Sequence, residues 1–128
     1  MEVAITNGIK VTVTSEYQPM YSDPLEFMYA FSYRIRIENN SENTVQLISR
    51  HWHIFDGIGE KYEVIGNGVV GFQPIIEPGQ SYEYVSGCNF KAPIGKMSGT
   101  YLLEKQLDGE KLIVKIPEFV LMMPAILN

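Results

Sequence analysis

Cysteine is nearly absent from this chain: Cys88 is the one thiol among 128 residues, so no disulfide can form within it. A scaffold held together by disulfides is excluded, and the fold makes no demand for an oxidising compartment. Cations are scarce too, with 10 Lys and Arg against 15 Asp and Glu, a formal net charge of −5 and a pI near 5.0. That balance argues against general attraction to nucleic acid or anionic membranes, and leaves metal ions, small molecules and proteins as the expected partners. No apolar run reaches the ~20 residues that cross a bilayer as a helix. The opening MEVAITNGIK also lacks the basic stretch and apolar core of a secretion signal. The expectation is a cytoplasmic protein with no membrane insertion. Also missing are a helical period, an internal repeat and a low-complexity tract.

What is present is apolar and aromatic enough to require a core, at 45% hydrophobic and 12% aromatic residues. A chain of 128 residues is expected to form one domain, spanning 1–128. Phe27, Tyr29, Phe31, Tyr33, Ile35 and Ile37 alternate with Met28, Ala30, Ser32, Arg34, Arg36 and Glu38, the two-residue period of a half-buried strand. Similar strands are predicted over Ile9–Tyr17, Thr44–Phe55, Lys61–Ile65, Ser81–Phe90, Gly99–Gln106 and Lys111–Phe119, which makes seven. Turn-forming clusters separate them at Asn39–Asn43, Asp56–Gly59, Gly66–Gly71, Pro78-Gly79, Pro93–Gly95 and Asp108-Gly109. Short strands at such intervals read as an all-β sandwich or barrel. Asp108-Gly109 tolerates the positive φ of a tight hairpin turn, so the last two strands should pair antiparallel. Tyr17–Glu26, with Pro19 and Pro24, reads as a connecting loop. Val45 and Leu47 have one parity whereas Trp52 and Ile54 have the other, and a bulge near Ile48–Arg50 reconciles them. Trp52 is then a core residue between sheets.

Three groups of residues carry chemistry. Gly66-Asn67-Gly68-Val69-Val70-Gly71 spells G-x-G-x-x-G. In a dinucleotide fold that loop ends a strand and opens a helix whose N-terminus receives pyrophosphate. Here Pro74 and Pro78 follow, and Lys91 and Ala92 stand where an acidic ribose ligand belongs. A backbone nest for phosphate without a helix is the surviving version, with Gly66, Gly68, Gly71 and Arg50 as its candidates. No Lys or Arg lies between Tyr62 and Phe90, so cationic help must come from Arg50 or Lys61. The alternative role of these glycines is a turn that needs their conformational range. The second group is His51, His53 and Asp56. Residues two apart on a strand share a face, so the imidazoles can chelate a borderline divalent ion such as Co2+. Mg2+ prefers oxygen ligands and would not suit them. The third group is Arg50 with Asp56, which serve equally well as a structural polar pair. Cys88 has no adjacent activating base, and Ser49 with His51 has no readable geometry, so no catalytic residue is assigned. The run Phe119–Leu127 is more apolar than a free tail and either docks on the sandwich or meets another subunit.

The succession YRIRIENNS (33–41), VQLISRHWHIFD (45–56), GNGVVGFQP (66–74), EPGQSYEYVSG (77–87), APIGKMSGTY (92–101) and IPEFVL (116–121) resembles the ApaG family over nearly the whole chain. The resemblance implies an immunoglobulin or fibronectin type III-like β-sandwich of about seven strands. It also implies an association with cobalt and magnesium tolerance and efflux and, by gene neighbourhood, with diadenosine polyphosphate hydrolysis. Fused forms of the domain resemble protein-interaction modules. The function expected is a noncatalytic binding or protein-interaction domain linked to cobalt and magnesium homeostasis. The alternative is a domain that binds pyrophosphate or a dinucleoside polyphosphate through the glycine loop, with or without a divalent cation (Co2+ or Mg2+). The expected partner is another protein or a phosphorylated small molecule, with homodimerisation open.

Overall fold

In the computed structural model, which describes residues 1–124, the alternating segment becomes a central strand, Tyr29–Asn39. In chain order the strands are β1 (Glu2–Thr6), β2 (Ile9–Tyr17), β3 (Tyr29–Asn39), β4 (Val45–Asp56), β5 (Glu60–Asn67), β6 (Ile75–Ile76), β7 (Ser81–Phe90), β8 (Ile94–Lys105) and β9 (Lys111–Met122). One antiparallel sheet runs β1-β2-β3-β7 and the other β5-β4-β8-β9, with β6 also on β4. Their inner faces interleave Ile9, Val11, Ile35 and Ile37 with Leu47, Trp52, Tyr101, Leu103, Val114 and Leu121, all buried. The result is an all-β sandwich. Full burial of each such side chain is worth about 1.5–3 kcal/mol. Trp52 sits between the sheets, edge-on to Tyr33 at 5.6 Å and to Phe119 at 6.0 Å.

Two strands beyond the expected seven are present. Strand β1 pairs with β2 through Asn7-Gly8, whose φ values of 47° and 81° make the tight turn that joins Thr6 to Ile9. The other, β6, is only two residues long. Strand β8 begins at Ile94 rather than Gly99. The alternation in front of β3 extends less far than its spacing indicates. Phe27 ends a single 3-10 turn (Pro24–Glu26) with φ 53°, and its ring is exposed instead of buried. The β8–β9 pairing is antiparallel as expected, but Asp108 is not among the positive-φ residues. Lys105 and Glu110 close a four-residue loop in which Gly109 alone has positive φ, at 74°.

The bulge in β4 is real. Its pairing with β8 shifts between Leu47 and Ser49, so Ile48 is the extra residue. Inward parity passes from Val45 and Leu47 to Trp52, Ile54 and Asp56, and His51 and His53 turn outward. A second shift lies where Met97 and Gly99 of β8 face Phe119 and Ile116 of β9. It falls at Pro117, which has no N–H to give the ladder. Beyond it Phe119 and Leu121 are buried, so the first part of the apolar C-terminal run docks in the core. Residues 125–127 of that run lie outside the described residues.

Candidate functional site

The glycine loop is built against the bulge. Strand β5 pairs with β4 from Asp56 back to Ser49, and β6 pairs with Gln46 and Val45, so the segment between them leaves the sheet beside Ile48. The Ile48 carbonyl accepts the Gly68 N–H at 2.8 Å and Gln73 Nε2 at 2.9 Å, while the Leu47 N–H donates to the Pro74 carbonyl at 3.0 Å. Val69 and Phe72 exchange N–H···O bonds of 2.8 and 2.9 Å across Val70 and Gly71, whose φ values are 48° and 82°. Val69 is fully buried and pins the turn to the core. A Cβ on Gly68 would collide with the Phe72 carbonyl oxygen, so close backbone approach explains that glycine.

Arg50 joins the same structure. Its Nη1 donates to the carbonyls of Asn67 at 3.0 Å and Gly68 at 2.9 Å, and Gly66 leaves room for it, since a Cβ there would lie 2.8 Å from Nη1. The structure thus gathers Gly66, Gly68, Gly71 and Arg50 into one unit. The N–H groups of Gly68, Val69 and Phe72 and one Arg50 nitrogen are used within the protein itself. A phosphate nest has correspondingly fewer donors to draw on.

The histidine group has a different membership from the one expected. Asp56 is buried at the far end of β4, on the Trp52 side. Its Oδ2 accepts the Lys91 N–H at 2.7 Å and its Oδ1 the Ala92 N–H at 3.2 Å and the Ile58 N–H at 3.3 Å. It ties the β4–β5 turn to the β7–β8 turn and does not meet the histidines. Glu63 does, because the β4–β5 register sets it directly opposite His53. Glu63 Oε1 is 3.3 Å from His51 Nε2 and 3.2 Å from His53 Nδ1, and the two imidazole centroids are 4.5 Å apart. All three side chains reach solvent on the outer face of the sheet. His53 and Glu63 line a shallow cleft of about 350 Å³ with Lys61, Lys96, Ser98 and Glu118. Lys61 and Lys96 lie 5.9 and 5.8 Å from the Phe55 ring centroid, and Lys96 also pairs with Glu118 at 3.5 Å.

Cys88 is largely enclosed on β7. Burial first, and the negative charge of Asp56 second, push its thiol up to about 12, so it stays protonated at neutral pH. Deeper in the core the Tyr84 and Tyr101 hydroxyls hydrogen-bond to each other, and burial raises both. None of these groups has the exposure of a nucleophile.

The segment between β2 and β3 presents a further surface that residue chemistry alone did not single out. Two single 3-10 turns, Pro19–Tyr21 and Pro24–Glu26, leave Met20, Tyr21, Leu25 and Phe27 between 71% and 92% exposed. The segment is nevertheless tied down. Asp23 and Met28 exchange backbone bonds of 2.8 and 3.0 Å, and Ser22 Oγ accepts the Ala30 N–H and donates to the Gln18 carbonyl, both at 2.8 Å.

A two-sheet antiparallel sandwich with a glycine turn seated on a strand bulge defines the class of domain. The family model described as the ApaG domain matches residues 19–105, which contain both the glycine loop and the histidine group. This chain belongs to the ApaG family. It is 47% identical over 128 residues to Protein ApaG of Anaeromyxobacter dehalogenans (strain 2CP-C), covering 100% of both chains. To Protein ApaG of Brucella canis it is 46% identical over 124 residues, covering 97% of this chain and 95% of that one. A crystal structure described as an ApaA protein from Bordetella pertussis superposes with a TM-score of 0.87 at 46% identity, covering 91% of this chain and 94% of that one. No described helix is long and apolar enough to cross a membrane.

Proposed function

We propose that this ApaG-family chain is a noncatalytic binding domain that engages another protein, in a role tied to cobalt and magnesium homeostasis. The observation that carries the reading is the ordered, protruding apolar segment 20–28. Exposed Met20, Tyr21, Leu25 and Phe27 on a backbone fixed by its own hydrogen bonds cost little entropy to dock, and large aromatic and Met side chains are the usual anchors of interfaces. Asp23 and Glu26 flank them, so the complementary partner surface is an apolar pocket bordered by Lys or Arg. The protonated Cys88 thiol and the use of Arg50 in holding the loop support a role without catalysis. The link to cobalt and magnesium rests on the family association.

The test places a photocrosslinking amino acid at Leu25 and, as a control, at the equally exposed Leu107. The protein captured from Leu25 alone is then purified and titrated. Leu25→Asp and Phe27→Asp should weaken that complex at least about tenfold, as expected for anchors worth 1.4 kcal/mol or more, with thermal transitions unchanged. Equal capture from both positions, or a complex indifferent to both substitutions, overturns the reading. Capture of a second copy of this chain would replace the separate partner with a homodimer.

A further inference from the structure

The geometry points to an open binding site for a borderline transition-metal dication formed by His51, His53 and Glu63. It is independent of the partner surface on segment 20–28. Two N···O separations, 3.2 and 3.3 Å, converge on one oxygen, Glu63 Oε1. Exposed Lys and Arg pairs elsewhere in this fold span 3.1–3.8 Å, and what sets this group apart is that two imidazole nitrogens share one carboxylate oxygen. Four ligands held at about 2.0–2.1 Å around a tetrahedral ion stand about 3.3 Å from one another, and both separations match that edge. One donor atom from each of the three residues lies within 4.8 Å of the others, so the His51–His53 separation needs at most a rotamer adjustment of exposed rings.

Backbone features fix the donors in place. The Ile48 bulge turns both histidines outward, and antiparallel register puts Glu63 across from His53. Two imidazoles and one carboxylate select Co2+, Ni2+, Cu2+ or Zn2+ over Mg2+ or Ca2+, which take oxygen donors. Three protein ligands leave coordination positions facing the cleft, where water or an anionic group can enter. Lys96 at the cleft wall is paired with Glu118 at 3.5 Å, which leaves Lys61 as the cleft cation placed to meet an anionic fourth ligand.

The test titrates the full chain with CoCl2 at neutral pH, following the visible absorption of the ion and the imidazole resonances by NMR. One equivalent should bind saturably, with His51 and His53 signals broadened first. His51→Ala, His53→Ala and Glu63→Gln should each weaken binding about tenfold or more, whereas Glu118→Gln in the same cleft should not. MgCl2 in large excess should not displace cobalt. Thermal melts establish that each exposed-site variant is folded. Absence of saturable binding at millimolar cobalt, or binding unaffected by Glu63→Gln, overturns the site.

Discussion

Asp56 accepts the backbone N–H of Lys91 at 2.7 Å from a position 35 residues earlier, and so fastens one end of the sandwich. Asp56→Ala would strand the buried N–H of Ala92 and the part-buried N–H of Lys91. It should cost about 2–3 kcal/mol, read as a lower urea midpoint. Asp56→Asn, which keeps one acceptor, should cost less. A change below about 0.5 kcal/mol, the range of featureless surface sites, would refute this role.

The glycine loop separates into two kinds of glycine. Gly68→Ala drives a methyl into the Phe72 carbonyl and should lower the melting temperature markedly, whereas at Gly71 the space is open and only the φ of 82° resists. Gly71→Ala should therefore cost about 1–2 kcal/mol, less than Gly68→Ala. A phosphate-binding loop would give another pattern, in which Gly68→Ala abolishes pyrophosphate binding while the melt stays intact.

Val70 holds φ 48° with a β-branched, exposed side chain, a conformation that favours Asn or Gly. Val70→Asn would create the pairing preferred in such turns and should stabilise the protein by about 1 kcal/mol. If stability instead falls, contacts of the valine with the rest of the domain outweigh the backbone strain.

Alkaline pH should unfold this domain early. Folding holds the proton of Cys88 up to about 12 against an ordinary 9.0, and burial raises Tyr33, Tyr84 and Tyr101 above 10.0. Above those ordinary values the unfolded chain releases protons that the folded chain keeps, so stability falls as pH rises. The cysteine contribution is lost first, between 9 and about 12, and the tyrosine contributions from 10 upward. Cys88→Ala should flatten the early part of the decline in melting temperature. A melting temperature constant through the tyrosine range would contradict this.

Periodicity exposed most of the sandwich because its strands alternate cleanly, and the parity break between Leu47 and Trp52 located the bulge. What escaped was local or cross-strand. Strand β1 alternates weakly and is mostly exposed, though Asn7-Gly8 is a strong hairpin signal that marks it. Phe27 continued the alternation of β3 in spacing only, since a 3-10 turn interrupts the strand before it. Glu63 could be joined to the histidines only through the register about the Asp56–Glu60 turn, in which His53 and Glu63 are equidistant from the centre. Asp56 was linked to them by proximity in sequence, and the parity shift that sends histidines outward sends Asp56 inward. The apolar segment 20–28 looked like a linker because its two prolines say where strands stop but not which side chains protrude.

The Ile48 bulge also limits how this family can change length. Removing Ile48 would place Val45, Leu47, Trp52, Ile54 and Asp56 on one parity, so β4 would become a regular strand with Trp52 still inside and His51 and His53 still outside. The same deletion would take away the carbonyl on which the glycine turn rests. Deletion at this one site should therefore be rejected through the loop and not through the strand, because a single carbonyl anchors the segment between β5 and β6.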